Sequence, residues 1–193
     1  MSWAFDTDRV NNWAYYNGVF TPEECKKIIE YGKSLKQIDA KVGGGNHKEE
    51  VDPNIRITTI SWIEPQPEIN WMYRKLVDAT LGLNKEYFNF QLNGFFEKLQ
   101  FTEYNAPDGN YRQHMDKVFG SVIRKLSVIV QLTDPKEYEG GDLKIFSGPN
   151  PETMIKEQGT VIAFPSYILH QVDPVTKGQR HSLVAWTLGD NFK

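Results

Sequence analysis

His114 and Asp116 stand two residues apart in the stretch YRQHMDKVFG. Imidazole nitrogen and carboxylate oxygen are both metal-ligand atoms. In an extended segment the side chains at i and i+2 leave the same face, so the two can converge on one ion. Taken alone, the pair is more commonly two hydrogen-bonded loop residues, and a third ligand has to come from elsewhere. The chain has four histidines: His47, His114, His170 and His181. His170 closes the apolar run TVIAFPSYIL and lies just past a strand and a proline turn. Two histidines and one carboxylate form a facial triad with open positions, the arrangement of non-haem Fe(II) oxygenases. Zinc takes the same donors. His181 faces away from Arg180 by strand parity and reads as structural; His47, in a glycine-rich stretch, reads as solvated.

Arg180 follows His170 in HQVDPVTKGQRHSLVAW. On a strand, Arg180, Ser182, Val184 and Trp186 share one face. A guanidinium turned inward beside a metal is costly unless it is neutralised. Either an internal carboxylate or a bound anion does this, and guanidinium grips a carboxylate with two parallel hydrogen bonds.

These residues need a scaffold. The chain's 193 residues suit one domain (1–193) with a real core. In TPEECKKIIEYGKSLK, Thr21 reads as N-cap, Pro22 as first helical residue and Glu24 as partner in a capping box. Cys25, Ile28, Ile29 and Gly32 form its buried stripe. A second helix is predicted from about Pro67 to Leu81, with Ile69, Met72, Tyr73 and Leu76 on one face and Gly82 as the stop. Between the helices, KVGGGNHKEEVDPN reads as a loop, and IRITTISWI after it as a strand with Arg56, Thr58 and Ile60 on one side. From Phe95 onward short strand-like runs follow one another: KLQFTEY, RKLSVIVQLT, GDLKIFS, GTVIAFP and RHSLVAWTLG, separated by turn signals. Leu126, Val128, Val130 and Leu132 alternate with more polar neighbours. Helical support over 20–82 and a strand core over about 95–190 predict an α+β protein, its mostly antiparallel strands forming a sandwich or barrel with the helices on one outer sheet.

The set His114-x-Asp116, His170 and Arg180 resembles the 2-oxoglutarate- and Fe(II)-dependent dioxygenases, in particular their prolyl 4-hydroxylase-like branch. LQFTEYNAPDGNYRQHMD is similar to that branch's strand, tyrosine, glycine, tyrosine and His-x-Asp. YEGGDLKIF and GTVIAFPSYILHQVDPVTKGQRHSLVAWTLG are similar to its later core strands. The resemblance spans about Trp13 to Leu188 and is most specific from Leu99 to Trp186. It implies a double-stranded β-helix (a jelly-roll or cupin-like barrel) flanked by N-terminal helices. It implies Fe(II) on His114, Asp116 and His170, with 2-oxoglutarate chelating the iron and its far carboxylate on Arg180, where many prolyl 4-hydroxylases carry lysine. Tyr104 matches the tyrosine that donates to that carboxylate. Tyr111, Trp186 and Arg56 match substrate-contact positions. No catalytic residue beyond the metal ligands is implied. The implied reaction couples decarboxylation of 2-oxoglutarate by O2 to hydroxylation of a substrate C–H, with ascorbate as an optional reductant. The implied substrate is a peptide or protein containing proline. Residues 41–52 read as a lid over it.

Other classes are weaker. A net charge of −3 and the lack of a long basic run argue against a nucleic-acid partner. Nucleic-acid demethylases of the AlkB-like kind carry a second arginine where this chain has Trp186. No apolar run is long enough to span a membrane. The opening MSWAFDTDRV is mixed and acidic, unlike a signal peptide. The lone Cys25 forms no internal disulfide, which fits a reducing, cytoplasmic setting. The alternatives retained are a hydroxylase of a free amino acid or other small molecule, and a non-enzymatic metal-binding β-helix that serves as a partner protein.

Overall fold

The computed structural model describes residues 10–44, 47–116 and 123–190. Its strands, in chain order, begin with β1 (Ala14–Tyr16), β2 (Ile38–Asp39), β3 (Val42–Gly44), β4 (His47–Glu50), β5 (Arg56–Ile57) and β6 (Thr59–Ile63). There follow β7 (Gly94–Phe95), β8 (Leu99–Asn105), β9 (Asn110–His114), β10 (Arg124–Gln131) and β11 (Tyr138–Gly140). The last are β12 (Leu143–Phe146), β13 (Glu152–Thr153), β14 (Val161–Pro165), β15 (Leu169–Val172) and β16 (Val175–Leu188). The helices are α1 (Pro22–Ser34) and α2 (Asn70–Leu83).

The strands form a double-stranded β-helix. Its larger sheet runs β1-β14-β10-β16-β8-β6-β2, with β7 and β11 also paired to β16. The smaller runs β13-β12-β15-β9-β5. Alternation along β10 decides what faces where. Leu126, Val128 and Val130 join the core shared with α1 and α2. Burying each contributes roughly 1.5–3 kcal/mol. The residues between them, Ser127, Ile129 and Gln131, therefore point between the sheets. Ile129 joins a second core there with Leu143, Ile145, Ile162 and Phe164.

The capping box of α1 forms as predicted: the Thr21 hydroxyl accepts from the Glu24 N–H, and the Glu24 carboxylate accepts from the Thr21 N–H. Cys25, Ile28 and Gly32 are buried, and Ile29 only partly. Three sequence expectations need correction. Gly82 does not stop the second helix: a 3-10 turn (Pro67–Ile69) leads into α2, and a π-helical segment (Asn84–Phe88) extends it to Asn89, whose φ of 54° ends the run. Phe88 is buried, so the extension is held by packing. IRITTISWI is not one strand. It breaks at Thr58, giving β5 to the smaller sheet and β6 to the larger. The predicted alternation survives: Arg56, Thr58 and Ile60 share one side, and that side is buried. Lastly, the predicted loop holds the paired strands β3 and β4; residues 45–46 and the His47 side chain lie outside the description. The stretch read as helical support thus supplies strands as well.

Candidate metal and cofactor site

β9 and β15 are antiparallel neighbours in the smaller sheet, and their register puts His114 opposite His170. The two ring centroids are 4.1 Å apart. Asp116 lies two residues past His114, in a bend. Its Oδ1 is 3.6 Å from His114 Nε2 and its Oδ2 is 3.6 Å from His170 Nε2. All three ligand atoms lie within 4.8 Å of one another. Each imidazole is oriented by the carbonyl two residues before it: His114 Nδ1 is 2.7 Å from Arg112 O, and His170 Nδ1 is 3.0 Å from Ile168 O. Donation from Nδ1 leaves Nε2 as a free lone pair aimed at the shared point.

Protonation suits ligation too. Burial, and His170 alongside, push the His114 pKa down to about 3, so its ring is neutral near pH 7. Burial pushes the Asp116 carboxyl up. The two histidines, the Ser127 hydroxyl and the nearby Trp186 indole N–H outweigh it and hold the pKa at about 2. Ser127 Oγ donates to Asp116 Oδ2 at 2.6 Å and is itself 3.0 Å from Ser166 Oγ. The Trp186 N–H reaches no hydrogen bond of ordinary geometry. A neutral imidazole and an ionised carboxylate are the states a divalent cation needs.

Arg180 and Tyr104 are cross-strand partners on β16 and β8. The guanidinium carbon of Arg180 lies 5.0 Å from the Tyr104 ring centroid. Arg180 is only 1 % exposed. Its Nη2 donates to Gln131 Oε1 at 2.9 Å, and Gln131 is oriented in turn by its own bond to Ile155 O. Arg180 Nε and Nη1 have no partner. The internal Arg–Asp pair allowed by the sequence is not formed among the described residues. A buried guanidinium with two donors to spare fits a carboxylate ligand in geometry and in charge.

One cavity of about 470 Å3 contains all eight residues singled out from the sequence: Arg56, Tyr104, Tyr111, His114, Asp116, His170, Arg180 and Trp186. Tyr111 stacks on the His114 ring at 3.4 Å, and burial raises its hydroxyl pKa to about 12. Trp186 carries the Arg124 guanidinium on its face at 3.9 Å. Arg124 also clasps the Glu97 carboxylate and donates to Asp116 O at 3.2 Å. Sequence reasoning missed Ser127, Gln131, Glu97 and Arg124. For Ser127 and Gln131 the signal existed: they are the polar residues alternating with the apolar face of β10.

Residues 99–188 match the family description 2OG-Fe(II) oxygenase superfamily. A PKHD-type hydroxylase of Synechococcus sp. (strain CC9311) is 40% identical over 164 residues, which cover 84% of this chain and 71% of that protein. The chain belongs to the 2OG-Fe(II) oxygenase superfamily. Within it, the chain falls in the prolyl 4-hydroxylase-like branch. Two solved structures share the oxygenase fold. A Pseudomonas putida prolyl-4-hydroxylase has a TM-score of 0.72 at 19% identity, covering 93% of this chain and 94% of that one. A prolyl hydroxylase from Trichoplax adhaerens, solved with a hypoxia inducible factor oxygen degradation domain peptide fragment, has a TM-score of 0.70 at 16% identity, covering 92% and 84%. The cofactors of the superfamily are Fe(II), 2-oxoglutarate and O2. No helix among the described residues of this oxygenase is long and apolar enough to cross a membrane.

Proposed function

We propose that this oxygenase hydroxylates a prolyl residue in a peptide or protein. The observation that carries the oxygenase chemistry is the joint presence, in one cavity, of the His114–Asp116–His170 cluster and the unsatisfied donors of Arg180. In this reading the cluster holds Fe(II), and Arg180 with Tyr104 receives the far carboxylate of 2-oxoglutarate. When bound, iron with 2-oxoglutarate and O2 supplies the oxidising power that turns C–H into C–OH, with succinate and carbon dioxide as co-products.

The chain's own residues bind, orient and exclude water. Arg180 and Gln131 fix the depth of the carboxylate. Ser127 keeps the Asp116 carboxylate turned toward the histidines. Tyr111, Trp62 and Trp186 give the cavity aromatic walls, against which a proline ring packs well. The proline reading is supported further by the relatives, one of them solved with a peptide. A reducing, cytoplasmic setting belongs to the same proposal: the Cys25 thiol is buried and burial raises its pKa to about 12, so it is a packing residue.

The deciding experiment is anaerobic titration with Fe(II) and 2-oxoglutarate. A visible metal-to-ligand charge-transfer band is expected, followed by succinate formation under air. Absence of both rules out the oxygenase reading. A panel of proline-containing peptides, followed by mass spectrometry for the gain of one oxygen atom, tests the substrate.

A further inference from the structure

Arg180 is not the only buried guanidinium with a donor to spare. Arg56, on β5, is 7% exposed. Its Nε donates to Thr58 Oγ1 at 2.8 Å, while its Nη2 has no hydrogen-bond partner. Its guanidinium carbon lies 4.4 Å from the Tyr111 ring centroid. Among the described residues no carboxylate pairs with it. The contact with the ring offsets only part of the cost of an unpaired buried charge. The balance calls for an anion.

The position of Arg56 tells where that anion sits. Arg56 is the cross-strand partner of Tyr111, and Tyr111 stacks on His114. Guanidinium, phenol and imidazole thus form one column that ends at the metal ligands. Arg56 also lines the cavity that holds the His114–Asp116–His170 cluster, so a group bound to its guanidinium from that side lies beside the reacting centre.

The charges on the wall point the same way. Arg124 is neutralised by Glu97. With its cofactors in place, Arg180 faces a carboxylate and Asp116 faces the metal. Arg56 and the exposed Lys41 remain, both lining the cavity and neither with a counter-ion among the described residues. Asp39 and Glu103 line a neighbouring cavity that Arg56 also touches. Glu103 is engaged by His181, Asn105 and Lys33, and Asp39 is exposed. A peptide carbonyl would accept from Nη2 but would leave the charge of Arg56 unbalanced.

We propose that the substrate brings a carboxylate to Arg56, next to the C–H that is attacked, with Lys41 adding longer-range attraction. This rests on the proposed hydroxylase function. The carboxylate belongs either to the target residue itself, as in a C-terminal or free imino acid, or to an acidic side chain beside it.

The test uses the full chain with Fe(II) and 2-oxoglutarate under anaerobic conditions. Two matched pairs are compared: N-acetyl-proline with N-acetyl-prolinamide, and capped Gly-Pro-Asp-Gly with capped Gly-Pro-Asn-Gly. Binding is read from tryptophan fluorescence, since Trp62 and Trp186 line the cavity. In one pair the acid should bind at least about tenfold more tightly than the amide. Arg56→Gln should abolish that preference, and Arg56→Lys should keep part of it. The pair that responds identifies the source of the carboxylate. Equal affinity within both pairs, failure of all four compounds to bind, or a preference that survives Arg56→Gln overturns the assignment. Failure of Fe(II) and 2-oxoglutarate to bind at the outset instead overturns the proposed function.

Discussion

His114 and His170 are register partners across the β9–β15 ladder, with ring centroids 4.1 Å apart. Two candidate ligands distant in sequence are therefore placed by backbone hydrogen bonds, and a bulge between His170 and Val172 adjusts the approach. Of the three candidate ligands, only Asp116 has its direction held by a side-chain hydrogen bond, from Ser127.

Ser127→Ala should weaken metal binding about 10- to 100-fold, the usual effect of losing a residue that orients a ligand. Co(II) titration followed by visible absorption measures it. Unchanged affinity would mean that the bend at Asp116 holds the carboxylate unaided.

Arg180→Ala should chiefly weaken 2-oxoglutarate binding. Truncating one partner of a buried charge pair costs about 2–5 kcal/mol, or roughly 30-fold and more in dissociation constant. Arg180→Lys keeps the charge without the fork and should fall between. Binding of Mn(II) alone should change little, which separates a cofactor role from general damage to the site.

Stability should fall on mild acidification. Burial holds the His181 pKa below its ordinary 6.5, so the unfolded chain binds that proton more tightly than the folded one. Its contribution is full above 6.5 and is lost as pH falls below it. For Glu103, burial raises the pKa, but the hydrogen bonds from Asn105 and His181 prevail and lower it from 4.5; that contribution fades at lower pH still. In the metal-free protein His114 acts in the same direction. Urea midpoints should drop between pH 7 and pH 5.5, and His181→Asn should flatten the slope. A flat wild-type profile would contradict the shifts.

Gly32→Ala should destabilise, against the usual rule for helices. An added methyl normally gains about 0.5–1 kcal/mol in a helix interior. Here it would run into the Phe101 ring, which also stacks on His181. Overpacking costs roughly 1–3 kcal/mol, so the clash prevails. Thermal melts of the two proteins decide the sign.

The triad was readable because His-x-Asp on an extended segment and a distant strand-end histidine form a chemically specific set. The shared face of Arg180 and Trp186 followed from strand parity alone, as did the turn of His181 away from Arg180, where it is buried against Phe101. The capping box of α1 was equally local. The break at Thr58 was not readable, because the alternation of Arg56, Thr58 and Ile60 continues unchanged while the strand passes from one sheet to the other. Nor was the extension of the second helix past Gly82, which depends on burial of Phe88.

By itself the sequence determined the donor types, their order and the face each takes along its own strand. These are local properties, set by side-chain chemistry and the two-residue period of a strand. Tertiary structure alone decided which residues meet across strands. It gave Arg180 Gln131 in place of a carboxylate, set Ser127 behind Asp116, and built the column of Arg56, Tyr111 and His114. Such contacts depend on register and on how two sheets close over one another, and no spacing along a single chain encodes them.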